Sequence, residues 1–192
     1  MTRYAADHKY KTREAIIEAA AERIRTQGLE GLGVAAIMAE AGLTHGGFYA
    51  HFPSRDALLA AAIGRLFDKA IHGVDRYEAK YGVDEALDRY VDFYLSPRHR
   101  DDMTIGCPIP SLAGEARRSA DEVREAFDAG LDRLATRLGK LMPARDRRGG
   151  GKKAAITLLG ELAGALTVSR AMSDPKQANE LLAAKRRSVL AD

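Results

Sequence analysis

Between two alanine-rich stretches that read as long helices lies "VAAIMAEAGLTHGGFYAHFPS", Val34 to Ser54, and no single helix can run through it. Gly42 suits the positive φ that ends a helix, and Pro53 has no amide proton to give to one. The adjacent Gly46 and Gly47 each cost about 1 kcal/mol relative to alanine inside a helix. The segment therefore divides into two short helices joined by the tight turn "AGLT". The first runs from Val34 toward Gly42. The second covers about His45 to His51, with Thr44 as its N-cap.

The flanks are of a kind that can brace such a pair. From Thr12 to Thr26, Ile16, Ala19, Ala20 and Ile24 recur at helical spacing until Gly28 stops the run. After Ser54 comes the long pattern "RDALLAAAIGRLFDKAI". Two short helices in a tight turn between longer ones are the outline of a helix-turn-helix module. Farther on, helical patterns run roughly over 84–95, 119–141, 152–172 and 175–190. Between them, "SPRHRDDMTIGCPIP" reads as an irregular connection and "PARDRRGGG" as a mobile basic loop. The expectation is an all-α fold of about nine helices. Residues 1–54 form an N-terminal arm and helix-turn-helix head, and residues 55–192 form a second helical domain.

Composition agrees, because 46% hydrophobic and 30% charged residues, rich in Ala, Leu, Glu and Arg, favour helix over strand. A net charge of +3 and a pI near 9.0 permit an anionic partner without requiring one, so any contact with nucleic acid must come from placement of charge. The single cysteine, Cys107, leaves no disulfide within a chain and suits a reducing compartment. The N-terminus lacks the apolar stretch of a secretory signal. The run Ala154–Val168 contains Glu161 and falls short of the roughly 18 to 20 residues that span a bilayer. These features lead us to expect a cytoplasmic protein without a membrane partner. Five histidines and one cysteine show no metal-ligand spacing, and no Ser/His/Asp or glycine-rich phosphate motif emerges. The reading is therefore of no metal, no cofactor and no enzyme.

The stretch Thr12 to Leu59, "TREAIIEAAAERIRTQGLEGLGVAAIMAEAGLTHGGFYAHFPSRDALL", resembles the DNA-binding domain of the TetR/AcrR family of transcriptional regulators. The likeness is carried by "IMAEAGLTHGGFYAHFPSRDALL": a tyrosine, one residue, a histidine, an aromatic, then a basic residue and a leucine pair. It implies double-stranded operator DNA as the partner, with Thr44, His45 and Gly47 facing the major groove and Tyr49, His51 and Arg55 holding phosphates. Gly46, without a side chain, would allow close approach. Gly33 stands where the family often has threonine, and His45 where it often has lysine. Ala35 takes the place of a base-reading side chain and leaves only apolar contact to a thymine methyl. Lys9, Lys11 and Arg13 are either a solvated face or an arm touching the DNA backbone or minor groove. Phe48 and Phe52 are core residues.

For the second domain the resemblance implies a small-molecule effector and a homodimer. An effector cavity is expected around Phe67, Phe93, Met103, Ile105 and Cys107, beside the irregular segment. A dimer through the last two helices would use Gly160, Ala163, Gly164, Thr167 and Leu181, although these small residues also suit a contact within one chain. Function would then be that of a repressor released from a palindromic operator by a small molecule. Cys107 is either a buried small hydrophobe or an electrophile-sensing thiol. With the second role comes another reading, a helical small-molecule or electrophile-binding protein whose head does not read DNA.

Overall fold

A computed structural model describes residues 3–144 and 150–190, so Arg145 to Gly149 of the stretch read as a basic loop lie outside the described residues. The described residues are all-α, as expected. α1 is Arg3–Gln27 and α2 is Val34–Glu40; a 3₁₀ segment follows at His45–Ala50. Then come α3 (Arg55–Tyr94), α4 (Pro97–Asp101), α5 (Ile109–Ala116), α6 (Asp121–Gly139), α7 (Gly151–Ala171) and α8 (Pro175–Leu190).

Four local features differ from the sequence expectation, each for a readable reason. The expected arm is helix, because nothing from Arg3 to Thr12 breaks one and Asp7 pairs with Lys11 one turn on at 2.9 Å. The element around His45 to His51 is 3₁₀ rather than α, in keeping with the low helix propensity of its two glycines. "SPRHRD" is not irregular: Ser96 Oγ accepts the His99 amide at 3.1 Å and Pro97 takes the first helical position, so α4 forms. α3 runs for 40 residues, but Gly82 at φ 76 and ψ 171 breaks its helical path.

The chain forms two compact units, Met1–Leu66 with Ser111–Ala129, and Phe67–Pro110 with Gly130–Asp192. They do not coincide with a cut between residues 54 and 55. In the first unit Ile16 and Ile24 of α1, Ile37 and Met38 of α2, and Phe48 and Phe52 are buried. Each such side chain contributes about 1.5 to 3 kcal/mol by leaving water. Arg65 of α3 pairs with both Glu14 and Glu18 of α1, and these partners hold its guanidinium pKa above the ordinary arginine value.

In the second unit α7 buries Leu158, Leu159, Leu162 and Leu166, and α8 buries Leu182. At 21 residues α7 is longer than the run read from the sequence and long enough to cross a bilayer. It is nevertheless built as a core helix, with that leucine face inward and Lys152, Lys153 and Glu161 exposed. Arg137 of α6 reaches Asp75 at 2.5 Å and also pairs with Glu78, both on α3.

Candidate nucleic-acid interface

The turn that presents the 3₁₀ segment is closed by backbone alone. Gly42 takes φ 72, its amide donates to Ala39 O at 3.0 Å, and the Leu43 amide returns to Met38 O at 2.8 Å. This pair of bonds is the Schellman closure, and it needs a glycine at the left-handed position. Thr44 follows in extended conformation at φ −82 and ψ 147, in the N-cap position expected of it, but its hydroxyl makes no cap bond. The Gly47 amide goes to the Thr44 carbonyl instead, at 3.0 Å, and the side chain stays exposed.

One side chain anchors the segment. Phe48 is buried, with its ring stacked against Phe52 at 5.8 Å and edge-on to Tyr49 at 5.2 Å. Around it His45, Gly46 and Ala50 are exposed, and Tyr49 is 72% exposed, with an apolar ring and a hydroxyl both open to solvent. The glycines are not required by the fold. Neither Gly46 nor Gly47 has a positive φ. A Cβ at Gly46 would meet nothing within 4 Å, and one at Gly47 would touch Met38 Cε at 3.7 Å and Thr44 Oγ1 at 3.9 Å, which is ordinary contact. Gly46 supplies bare backbone on an outer surface, and Gly47 beside it is half-buried near Met38.

Cationic groups gather beside this surface. His51 is half-buried, and its Nδ1 has no hydrogen-bond partner among the described residues. Burial lowers the ring's pKa below the usual histidine value, and the charges of Lys9, Arg13 and His8 lower it further. Arg13 stands 4.8 Å above the Phe52 ring, and Lys11 is exposed in its pair with Asp7. Arg55 is placed differently from a simple phosphate clamp. Its Nε donates to Leu32 O at 3.1 Å and its Nη2 to Leu29 O at 2.5 Å, so it holds the linker ahead of α2. Gly33 caps α2 with φ −89 and ψ 117 and open space where a Cβ would stand, and Ala35 is exposed two residues past that cap.

The other candidate residues lie in the second unit. Phe67 is fully buried against the α6 backbone at Gly130, where any Cβ would run into its ring. Phe93 is half-exposed and stacks on His99 at 5.0 Å. Met103 lines a cavity of about 390 Å³ with Arg100, Arg170, Met172, Pro175 and Ala178. Ile105 is half-buried, and Cys107 is 7% exposed with its amide donating to His99 Nε2 at 3.3 Å. The hydroxyl-bearing side chains of Tyr90 and Tyr94 are buried nearby; desolvation first, and the neighbouring Cys107 second, push both phenols well above the usual tyrosine value. Sequence reading passed over His99 and both tyrosines, though Tyr90 and Tyr94 repeat at helical spacing. On α7, Gly160, Gly164 and Thr167 are exposed together with Ile156 and Val168, whereas Ala163 faces inward at 7% exposure. One step along a helix turns a side chain by about 100°, which is why Ala163 parts from Gly164. Leu181 of α8 is half-buried.

The description of the family of bacterial regulatory proteins called tetR fits residues 16–62, the span from the middle of α1 through the 3₁₀ segment into α3. Residues 16–62 are a tetR-type regulatory domain by this match. A curated relative, the uncharacterized HTH-type transcriptional regulator YvdT of Bacillus subtilis (strain 168), is 33% identical over 94 residues, which are 46% of this chain and 47% of that protein. The chain thus spans about half the length of that relative. Two solved structures share the fold across nearly the whole chain. The reduced form of NemR from E. coli superposes with TM-score 0.77 at 18% identity, covering 94% of this chain and 96% of that one. Bacillus subtilis FadR, a transcriptional regulator in complex with stearoyl-CoA, does so with TM-score 0.65 at 21% identity, covering 93% and 95%. The matched residues contain the 3₁₀ segment, Tyr49, His51 and Arg55. Lys11 and Arg13 precede the matched span.

Proposed function

We propose that the chain is a homodimeric repressor that leaves a palindromic operator when a small molecule binds its second domain. The observation that carries the DNA-reading part is Gly46, exposed and with open space where its Cβ would stand, beside the largely exposed Tyr49. A groove wall can approach such a surface closely. In this reading Thr44 and His45 read base edges at Gly46 and Gly47, while Tyr49, His51, Lys11 and Arg13 meet phosphates. Ala35 offers a methyl to thymine and Gly33 its backbone. Arg55 acts through the linker it holds.

Two half-sites require two heads, since one small helix-turn-helix buries too little to bind tightly. The exposed face of α7, with Gly160, Gly164, Thr167, Ile156 and Val168, is the surface we assign to the second copy. FadR, with the same fold, holds stearoyl-CoA, which supports an effector in the helical domain around Phe93, Met103 and Ile105. An effector there would bias α3 between two tilts and so change the separation of the heads. Cys107 is a packing residue in this scheme, buried and bonded through its amide to His99. A regulator of this kind works in the cytoplasm.

The test is selection of DNA from a random pool by the full-length chain. The expected product is a palindrome whose half-sites lie about 34 to 36 Å apart, or a multiple of that. Tyr49→Phe should weaken every selected sequence alike. A pool in which nothing is retained would overturn the proposal in favour of a helical small-molecule-binding protein with an unused head.

A further inference from the structure

α1 and α2 both end at a glycine of positive φ, but the next amide goes to different places. After Gly42 the chain closes on itself through Leu43, as described. After Gly28 only the glycine amide returns, to Ile24 O at 3.0 Å. The Leu29 amide donates instead to Glu115 Oε2 at 2.7 Å, with the Glu30 amide at 3.4 Å from the same oxygen. Glu115 belongs to α5, 86 positions along the chain and within the same compact unit. A carboxylate near the C-terminal end of a helix stands against the negative end of its dipole, so the bonds to these amides have to offset an unfavourable position.

The other side of the linker is held as well. Arg55 takes the carbonyls of Leu29 and Leu32, and Arg23 takes that of Gly31 at 3.1 Å. Both backbone groups of Leu29 are therefore bonded to charged side chains. Four residues later the chain reaches Gly33, the cap of α2, so the position of this linker fixes where the helix-turn-helix starts. A Cβ at Gly28 would run into the same Glu115 carboxylate, which keeps that approach open only to glycine. A cavity of about 220 Å³ lined by Leu29, Arg55, Glu115 and Arg118 opens beside the bond.

We infer that Glu115 is a positioning residue for DNA reading: by accepting from the amides of Leu29 and Glu30 it sets the linker from which α2 starts, and it ties that linker to α5. The inference rests on the DNA-binding function proposed above. Its test uses the full-length chain, the DNA selected by wild-type protein, and the variants Glu115→Ala and Glu115→Gln. Glu115→Ala should bind that DNA about tenfold more weakly, because a charge-assisted bond to the linker is lost, with an unchanged salt slope because no phosphate contact is lost. Amide exchange followed by NMR should speed up at Leu29 and Glu30 and stay unchanged in the core of α1. Glu115→Gln keeps an acceptor oxygen and should recover most of the affinity. DNA bound equally well by all three proteins would overturn the role of Glu115 alone, as would a glutamine variant as weak as the alanine one. If the alanine variant fails to fold, a glutamine variant with wild-type affinity and wild-type exchange at Leu29 and Glu30 overturns the role, and one weaker and faster-exchanging supports it. Failure of wild-type protein to select any DNA would sink the DNA-binding reading itself.

Discussion

The 3₁₀ segment and the segment around Cys107 are both short, both carry glycine, and both lie between helices, yet their glycines answer to different masters. Gly106 has φ 85, and a Cβ there would strike the His99 ring. That ring is fully buried, stacked on Phe93, edge-on to Tyr94 at 4.9 Å, and fixed at both nitrogens. Since Nε2 accepts the Cys107 amide, Nδ1 carries the proton and donates to Tyr94 O at 2.9 Å. Here the chain itself demands glycine. Gly46 and Gly47 satisfy no such demand, and neither backbone angle nor neighbouring atoms exclude a larger residue. A glycine that the fold does not need, at a surface the fold does not cover, points to something outside the chain.

The largest effects should come from exchanging those roles. Gly47→Leu is expected to fold normally and to lose operator binding by at least a hundredfold, since a large side chain would hold the segment off the base edges. Gly106→Ala should do the reverse to the molecule, costing about 3 kcal/mol or more of stability through a forced left-handed alanine and a displaced His99. Thermal unfolding and DNA titration separate the two. If Gly47→Leu keeps wild-type affinity and salt dependence, the comparison breaks and the glycines of the 3₁₀ segment are incidental.

The same contrast recurs within α7. Gly164 has open space at its Cβ position and is exposed, whereas its neighbour Ala163 faces the core. If α7 carries the proposed dimer interface, Gly164→Arg should give a folded monomer by placing an unpaired charge there, while Ala163→Arg should destabilise the chain itself. Sedimentation velocity would show the first, and a lowered melting midpoint the second. A Gly164→Arg protein that sediments as an ordinary dimer would move the interface to another face.

What the sequence made legible follows from how local the cause is. Gly28 and Gly42 mark helix ends because the need for positive φ is a property of one residue, and Phe48 with Phe52 read as core because their spacing puts both on one side. The cap of α4 was readable too, from Ser96 followed by Pro97, but the prolines and charges around it suggested an irregular chain. Glu115 could not be found this way. Its partner amides are 86 positions distant, and nothing in "SLAGEARRS" distinguishes a carboxylate that grips a backbone from one that faces water. Arg55 shows the same limit: its position in the motif suggests a phosphate, and only the fold reveals the two carbonyls it bonds. Ala163 and Gly164 group together as small residues at a spacing that suits close helix approach, although one step round a helix separates inside from outside.

Effects of intermediate size should sharpen the division between residues that read bases and residues that place the head. His45→Ala should relax preference at one or two positions of each half-site, at about 1 to 3 kcal/mol per lost base contact. Arg55→Ala should weaken all sequences together and lower stability by about 1 to 3 kcal/mol, because two linker carbonyls lose a charged donor. Its salt slope should stay as in wild type. A slope reduced by about one in titrations at several salt concentrations would show that the guanidinium leaves Leu29 and Leu32 for a phosphate.

The smallest effect concerns His51, which faces Lys9, Arg13 and His8 and is partly buried, so that its folded pKa lies below the ordinary value of 6.5. The sign follows from the neutral form being favoured in the free protein. Stability linked to this ring is fully present above about pH 6.5, where the unfolded chain is also neutral, and is lost as pH falls toward the folded pKa. DNA reverses the balance: a phosphate beside the ring favours the imidazolium, so binding takes up a proton and operator affinity should rise as pH falls from 7.5 to 6. His51→Gln should flatten the part of the profile that belongs to this ring. Fluorescence anisotropy of labelled operator at fixed ionic strength would record the slope. An affinity that falls on acidification in wild type, or a slope that His51→Gln does not reduce, would place the phosphate away from this histidine and leave Tyr49 and the α1 cations to hold the backbone.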